Sequence, residues 1–382
     1  MEMILTVAAA FLLIVLGAFL FSRRSRKRAR QKLREAFGQI PEWKGQSMES
    51  IASYHLYRRE AFPSRQRIDD FTWNDLDMDQ IYQRLDSCLT SVGEELLYHI
   101  LHEPSEDPAS WERREEQMEW LEQHPKKRVE MQILLSRLGR RAENGLAAFF
   151  QNPRFALLPH AWIYWVLALL PLASLVLFPL SYPFALLWLM VSIAVNGMVY
   201  AVVRRRIESE LATLQYLSSL LYTCRKLSKC KDPQLENWLS PMRSALRRFR
   251  SLTGKLSAAT RNSLMRSDTD LFLDICRLLF LSNLRNYNRS IRLIAKYKQE
   301  LEEAYRCLGE WDIALCVLSF RKSLPVYTLP VFEESSMFDI QQLFHPLLDH
   351  PVPNSISLTN DCLITGSNAS GKSTFIKAVA VN

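Results

Sequence analysis

Leu363-Ile364-Thr365-Gly366-Ser367-Asn368-Ala369-Ser370-Gly371-Lys372-Ser373-Thr374 fixes the kind of domain found at the end of this 382-residue chain. Residues 366–373 fit G-x-x-x-x-G-K-[ST], a phosphate-binding loop, and the pattern is specific when a strand precedes it and a helix follows. Leu363 and Ile364 predict the strand, and the apolar spacing from Thr374 to Ala380 predicts the helix. Gly366 and Gly371 let the backbone take turns that a side chain would block, so successive N–H groups can converge on phosphate oxygens. The helix behind the loop aims its positive end at the same anion. Lys372 is placed to reach the β- and γ-phosphates, and the Ser373 hydroxyl to ligate Mg²⁺. The nucleotide-binding set is therefore Gly366, Ser367, Asn368, Ala369, Ser370, Gly371, Lys372, Ser373 and Thr374, with ATP and Mg²⁺ as cofactors.

Working outward, three stretches carry a family resemblance. They are Phe344-His345-Pro346-Leu347-Leu348, then Val352-Pro353-Asn354-Ser355-Ile356-Ser357-Leu358, then the loop itself. Together they resemble the opening of the MutS ATPase domain, with its His-Pro pair, its V-P-N-x-I-x-L stretch and its T-G-P-N-M-[SG]-G-K-S-T loop. Ser367 stands where that family usually has Pro, and Ala369 where it usually has Met. Neither change removes a backbone donor, the lysine or the hydroxyl. Gly309-Glu310-Trp311-Asp312-Ile313-Ala314-Leu315 resembles the helix leading into that domain. Residues 76–101 and 104–114 resemble the helical core, including its T-x-x-G turn at Thr90 and Gly93.

The resemblance implies a helical core and lever coupled to an ATPase domain, and a homodimer in which two ATPase domains each complete the other's site. It also implies a Walker B acid and a water-orienting residue, both expected beyond Asn382. The chain by itself is accordingly expected to bind ATP weakly and not to hydrolyse it. Relatives that read mismatches carry a Phe-x-Glu element ahead of the helical core. Nothing like it appears here, so direct mismatch reading is not expected.

Apolar residues gather in three runs, 3–21, 161–180 and 182–203, each about long enough for a ~30 Å hydrocarbon core. The last two, split by Pro179-Leu180-Ser181-Tyr182-Pro183, predict a membrane hairpin, with Trp162, Tyr164, Trp165, Tyr182 and Tyr200 suited to an aromatic belt. The first run lacks the basic n-region and A-x-A site of a cleaved signal. Residues 22–36 instead carry eight basic side chains and one acid, net +7 of the chain's formal +8. That flank and Arg204-Arg205-Arg206 lie on the cytoplasmic side by the positive-inside rule. The expectation is a multi-pass protein of the cytoplasmic membrane with its N-terminus outside and its ATPase portion in the cytoplasm. The basic pI thus reflects a juxtamembrane feature that attracts anionic lipid, and carries no argument for nucleic acid.

A second basic stretch, 238–267, holds Arg243, Arg247, Arg248, Arg250, Lys255, Arg261 and Arg266 without an acid, interleaved with Trp238, Leu246, Phe249 and Leu252. It admits a phosphate-tracking surface, a helix on the membrane, or a solvated face paired with acids elsewhere. The seven cysteines show no C-x-x-C pair and read as reduced and structural; the seven histidines show no ligand spacing.

The clearest period is Tyr297, Leu301, Ala304, Leu308, Trp311, Leu315 and Leu318, a four-three step that predicts one long helix packed against its neighbours. Residues 39–71 read as a connector with short helices, and residues 111–138 as charged helix interrupted near Pro125. The expected fold is mainly α: a MutS-like helical core and lever with transmembrane helices, followed by the truncated start of an α/β P-loop ATPase domain. An N-terminal transmembrane anchor (1–21) and a basic juxtamembrane linker (22–70) come first. The helical core then opens (71–158), is interrupted by the transmembrane hairpin (159–203) and resumes together with the lever (204–324). The start of the ATPase domain (325–382) closes the chain.

Two functions compete. One is a membrane-anchored ATP-binding protein coupling nucleotide state to DNA or another partner. The other is a membrane-associated ATPase acting as a protein-assembly scaffold, beside which stands an inactive truncated product.

Overall fold

The computed structural model describes residues 24, 27–42, 47–62, 67–105, 107–140, 150, 157–230, 232–249, 279–331, 338–367 and 370–382. The apolar run 3–21 and residues 250–267 of the second basic stretch lie outside the described residues. The chain is mainly helical. Residues 27–36 of the basic segment are helical, and the helices bounded among the described residues are α1 (Met48–Ala61), α2 (Asp70–Asp75), α3 (Met78–Leu85), α4 (Ser91–His102), α5 (Pro108–Gln123), α6 (Pro125–Leu138), α7 (Ile163–Leu177), α8 (Tyr182–Arg206), α9 (Glu208–Leu227), α10 (Pro233–Arg248), α11 (Ser282–Lys296) and α12 (Lys298–Ser323). An antiparallel pair follows, β1 (Phe338–Leu343) and β2 (Asn354–Leu358), then α13 (Lys372–Val381).

Helix starts follow local chemistry. The carboxylates of Asp69, Asp107 and Asp232 each accept a backbone N–H from the first turn of α2, α5 and α10. Pro108, Pro125 and Pro233 open α5, α6 and α10, where the missing N–H costs nothing. Pro125 therefore begins a new helix, as the break read near it implies. The stretch read as a connector holds α1, fourteen residues long, whose Tyr54 and Tyr57 are buried in the main core.

At the centre runs α12, twenty-six residues and so about 39 Å at 1.5 Å per residue. Leu301, Ala304, Leu308, Trp311, Leu315 and Leu318 are all buried, and so are Tyr305, Ile313 and Ala314 on other faces. A helix apolar around most of its circumference is enclosed by neighbours; α4, α5 and α10 are packed against it. Its approach to α4 is close. A Cβ on Gly309 would meet Leu96 Cδ2 at 2.8 Å, and one on Gly93 would meet Asp312 Oδ2 at 2.4 Å. Thr90 and Gly93, read as a turn, are instead the start of α4: Thr90 is its N-cap and accepts the Gly93 N–H at 3.0 Å.

Inside this contact the Tyr305 hydroxyl donates to Glu95 Oε2 at 2.7 Å. Burial pushes the Glu95 carboxyl up from 4.5 to about 8. A raised carboxyl favours folding while protonated, so its contribution is full below about pH 4.5 and is lost as pH rises toward 8. Glu95→Gln should flatten that slope and raise unfolding free energy near pH 8.5 by on the order of 2 kcal/mol, read by denaturant melts across pH 5–9.

The α7–α8 pair is an antiparallel hairpin closed within four residues. α8, twenty-five residues, is among the described residues the one helix long and apolar enough to cross a membrane; α7 is shorter at fifteen. Trp165, Leu169 and Leu175 on α7, and Leu187, Met190 and Met198 on α8, are exposed. Inside the hairpin, Pro171 has no N–H for the Leu167 carbonyl four residues earlier. Asn196 Nδ2 donates to that carbonyl at 3.0 Å and to Leu279 O at 2.7 Å. The hairpin base is tied to α11 by Asn288, whose side chain accepts from Leu158 N and donates to Leu158 O, both at 2.8 Å.

Candidate functional site

The phosphate loop sits immediately ahead of α13. Gly371, its N-cap, has φ +85°, a left-handed conformation that other residues adopt at a cost. The Phe375 N–H donates to Gly371 O at 2.9 Å, starting the helix. Lys372, Ser373 and Thr374 are thus the first helical residues, whose amides have no partner within the helix and point out of its end. A Cβ on Gly366 would meet Ser370 Oγ at 2.8 Å, so a larger residue there would require the serine side chain to shift. The Lys372 ammonium donates to the carbonyls of Gly366 and of Ser367, the latter at 2.7 Å. Ser367, Ser373 and Thr374 are exposed. Asn368 and Ala369 lie outside the described residues. The donors brought together are a helix N-terminus, one ammonium and one hydroxyl, a set that suits a polyphosphate with a hard divalent cation.

The strand expected at Leu363 and Ile364 is not formed: residues 361–367 carry no ladder, and Leu363 is 87% exposed. A strand needs a paired neighbour, and the two-stranded sheet joins β1 only to β2. A hollow of about 530 Å³ lies between that sheet and α13, lined by apolar Phe338, Ile356, Leu358, Phe375, Ile376 and Val379 and by polar Thr359, Asn360 and Asp361 among others. Of residues 366–374, none lines it.

α13 also meets the helical body. Lys377 Nζ donates to Asp77 Oδ2 at 2.6 Å, just ahead of α3. Leu347 and Val381 pack against the small cluster of Trp73, Met78 and Ile81. His345, of the His-Pro pair, is buried beside this contact and accepts the Leu347 N–H at 3.3 Å. Burial lowers its pKa, Asp77 opposes that shift and Lys377 adds to it. A helix that begins at the phosphate loop therefore has one side on the core, within ten residues.

The second basic stretch is described only as far as residue 249. Leu239, Met242, Ala245 and Phe249 are buried, Arg243 pairs with Glu236, and Arg248 lies 3.7 Å from Glu300 and over the Tyr297 ring. Along α10 these cations face acids of the same protein. Of the cysteines, Cys88, Cys224, Cys230, Cys307, Cys316 and Cys362 are free, in line with the reduced reading; Cys276 lies outside the described residues.

The histidines correct the sequence reading. No spacing suggests a ligand set, yet α1 and the end of α4 bring His55, His99 and Glu103 together, with one ligand atom from each within 4.8 Å of the others. The missed signal is faint: His99 and Glu103 are four apart, one face of one helical turn.

No protein-family model matches the chain. Among curated proteins it is similar to the DNA mismatch repair protein MutS of Staphylococcus aureus, in strains JH9, Newman and N315. Each is 32% identical over 99 residues, covering 23% of this chain and 11% of the relative. The chain thus spans about a tenth of the length of the curated relatives it matches. The likeness is partial and points to a relation with MutS.

Proposed function

We propose that this chain is a membrane-anchored, MutS-related ATP-binding protein in which nucleotide held at the loop 366–373 acts on the helical core through α13. The observation that carries the reading is the left-handed Gly371 capping α13, with Lys372 and Ser373 as its first two residues. The loop amides and helix N-terminus would hold phosphate, Lys372 would trade the loop carbonyls for phosphate oxygens, and Ser373 would ligate Mg²⁺. Bound Mg²⁺–ATP would supply charge at that point. The chain's own contribution is to tie the same helix to Asp77 and to the Trp73 cluster, with α12 as the stiff element behind them. The exposed apolar surface of the α7–α8 hairpin supports membrane insertion, with Arg204, Arg205 and Arg206 on the cytoplasmic side. Residues 3–21 would add a further anchor, anionic lipid would meet residues 22–36, and pairing of two ATPase domains would give a homodimer.

The test is equilibrium binding of a fluorescent ATP analogue to the detergent-solubilised chain, with and without Mg²⁺. Saturable, Mg²⁺-strengthened binding is expected, with Ser373→Ala removing most of the Mg²⁺ dependence while leaving metal-free binding within about threefold. No saturable binding to the folded chain would overturn the reading.

DNA is the partner in the leading form of the proposal, and binding should fall steeply with salt. The paired arginines of α10 favour the second form, a scaffold that engages protein. Nucleotide-dependent binding to matched, mismatched or branched duplexes across a salt series separates the two.

A further inference from the structure

Away from the phosphate loop, three side chains converge where α1 crosses the C-terminal end of α4. His55 Nδ1 lies 3.3 Å from His99 Nδ1 and 4.0 Å from Glu103 Oε1. Zn²⁺ binds imidazole nitrogen at about 2.0–2.1 Å, so two nitrogens on one tetrahedral ion stand about 3.3 Å apart. The two rings are already at that separation. We infer that His55, His99 and Glu103 form a binding site for a divalent transition ion of the zinc class, independent of the nucleotide site.

The surroundings suit the assignment. His55 is 3% exposed and His99 is half-buried, so the two rings lie largely out of solvent. His55 is fixed against the His102 ring, at 4.3 Å between centroids, and His102 is stacked at 3.5 Å on Trp73. His99 meets the edge of Tyr54. Ring orientation is thus set by packing before any ion arrives, as supported ligands require. Glu103, the residue that caps α4, is partly exposed, with Oε1 4.0 Å from His55 Nδ1. Arg67 competes for it: its Nε at 2.8 Å and its terminal nitrogen at 2.7 Å both approach Oε1, the oxygen 4.0 Å from His55, so an ion would have to displace Arg67 there. With three protein ligands, a fourth position would be left to water. Two nitrogens and a carboxylate favour Zn²⁺ or Co²⁺ over Mg²⁺ or Ca²⁺.

The alternative is a plain hydrogen bond between two neutral imidazoles, and metal titration separates the two. The untagged chain in detergent, stripped with a chelator, is titrated with Co²⁺ and followed by its visible d–d absorption. Expected are one Co²⁺ per chain, displacement by Zn²⁺, a loss of affinity of at least a hundredfold in His99→Ala and at least tenfold in Glu103→Gln, and no change in His350→Ala. Arg67→Met deletes no ligand and should tighten binding severalfold, so it carries the test if His99→Ala does not fold. Four results overturn the site: no stoichiometric binding by the parent chain, binding unchanged in His99→Ala and Glu103→Gln, affinity unchanged in Arg67→Met, or a thiolate charge-transfer band. The last would place the ion at Asp86, Cys88 and Cys316, the other grouping of suitable side chains among the described residues.

Discussion

Asp312→Ala should lower the unfolding free energy by about 3–5 kcal/mol, read as the midpoint shift in denaturant or thermal melts of the detergent-solubilised chain. Its carboxylate is fully buried and accepts the Leu89 N–H at 3.0 Å, the Thr90 N–H at 2.8 Å and the Thr90 hydroxyl at 2.6 Å. Removing it leaves two backbone donors and a hydroxyl without their acceptor inside the core, and each buried orphan costs about 1–3 kcal/mol. Thr90 in turn caps α4, so the loss reaches that helix's first turn. Arg140, in contact with Asp86 and Glu94, faces the same cluster and loses one compensating anion. Asp312→Asn keeps one acceptor oxygen and should cost about half as much. Gly93→Ala attacks the contact from the other side: the new methyl would have to displace the carboxylate, and a loss of about 1–3 kcal/mol is expected. A double variant should cost less than the two single losses together, because both act on one contact.

Lys372→Ala should weaken Mg²⁺–ATP binding by at least about a hundredfold while leaving the melting midpoint within a few degrees. The side chain lies at the surface and its partners are carbonyls of an exposed loop, so little of the fold depends on it. Charge-assisted contacts to phosphate are each stronger than neutral hydrogen bonds, and a tenfold loss corresponds to about 1.4 kcal/mol. Lys372→Arg should recover only a fraction of the affinity, since a planar fork cannot occupy a point-charge position in a tight loop. Equal ATP affinity in parent and Lys372→Ala chains would remove the lysine from the site and leave binding to the loop amides alone.

What could be read from sequence was local. The four-three step through Leu301, Leu308, Trp311 and Leu318 predicts α12 because one helix face needs only near neighbours along the chain. Pro125 and the Asp-Pro starts at Asp107 and Asp232 mark helix ends for the same reason. Contacts between distant segments had no such signal. Thr90 and Asp312 are 222 positions apart, and His55 and His99 are 44 apart. Their meeting depends on α4 lying against both α1 and α12. The G-x-x-x-x-G-K-S pattern was legible because its glycines, lysine and serine are contiguous. The strand before it was not formed, since extended chain becomes sheet only beside a partner, and no window of Leu363 and Ile364 reports whether one is present. Pro171 gave a further clue that could be read only in three dimensions: it frees a carbonyl, and Asn196 on the next helix answers it.

The joint at Ile207 has a mechanical consequence. One buried residue separates α8 from α9, and it serves both as the end of one and the start of the other. With no slack in that connection, the protein body of the proposed membrane-anchored form would not swivel freely above a bilayer as it would on a flexible tether. Its height and heading would be dictated by the tilt of α8, so membrane thickness would become a variable to which the proposed ATP-binding end is geared. Such a molecule would not search a volume for its target; the target would have to come to a fixed station at the membrane surface.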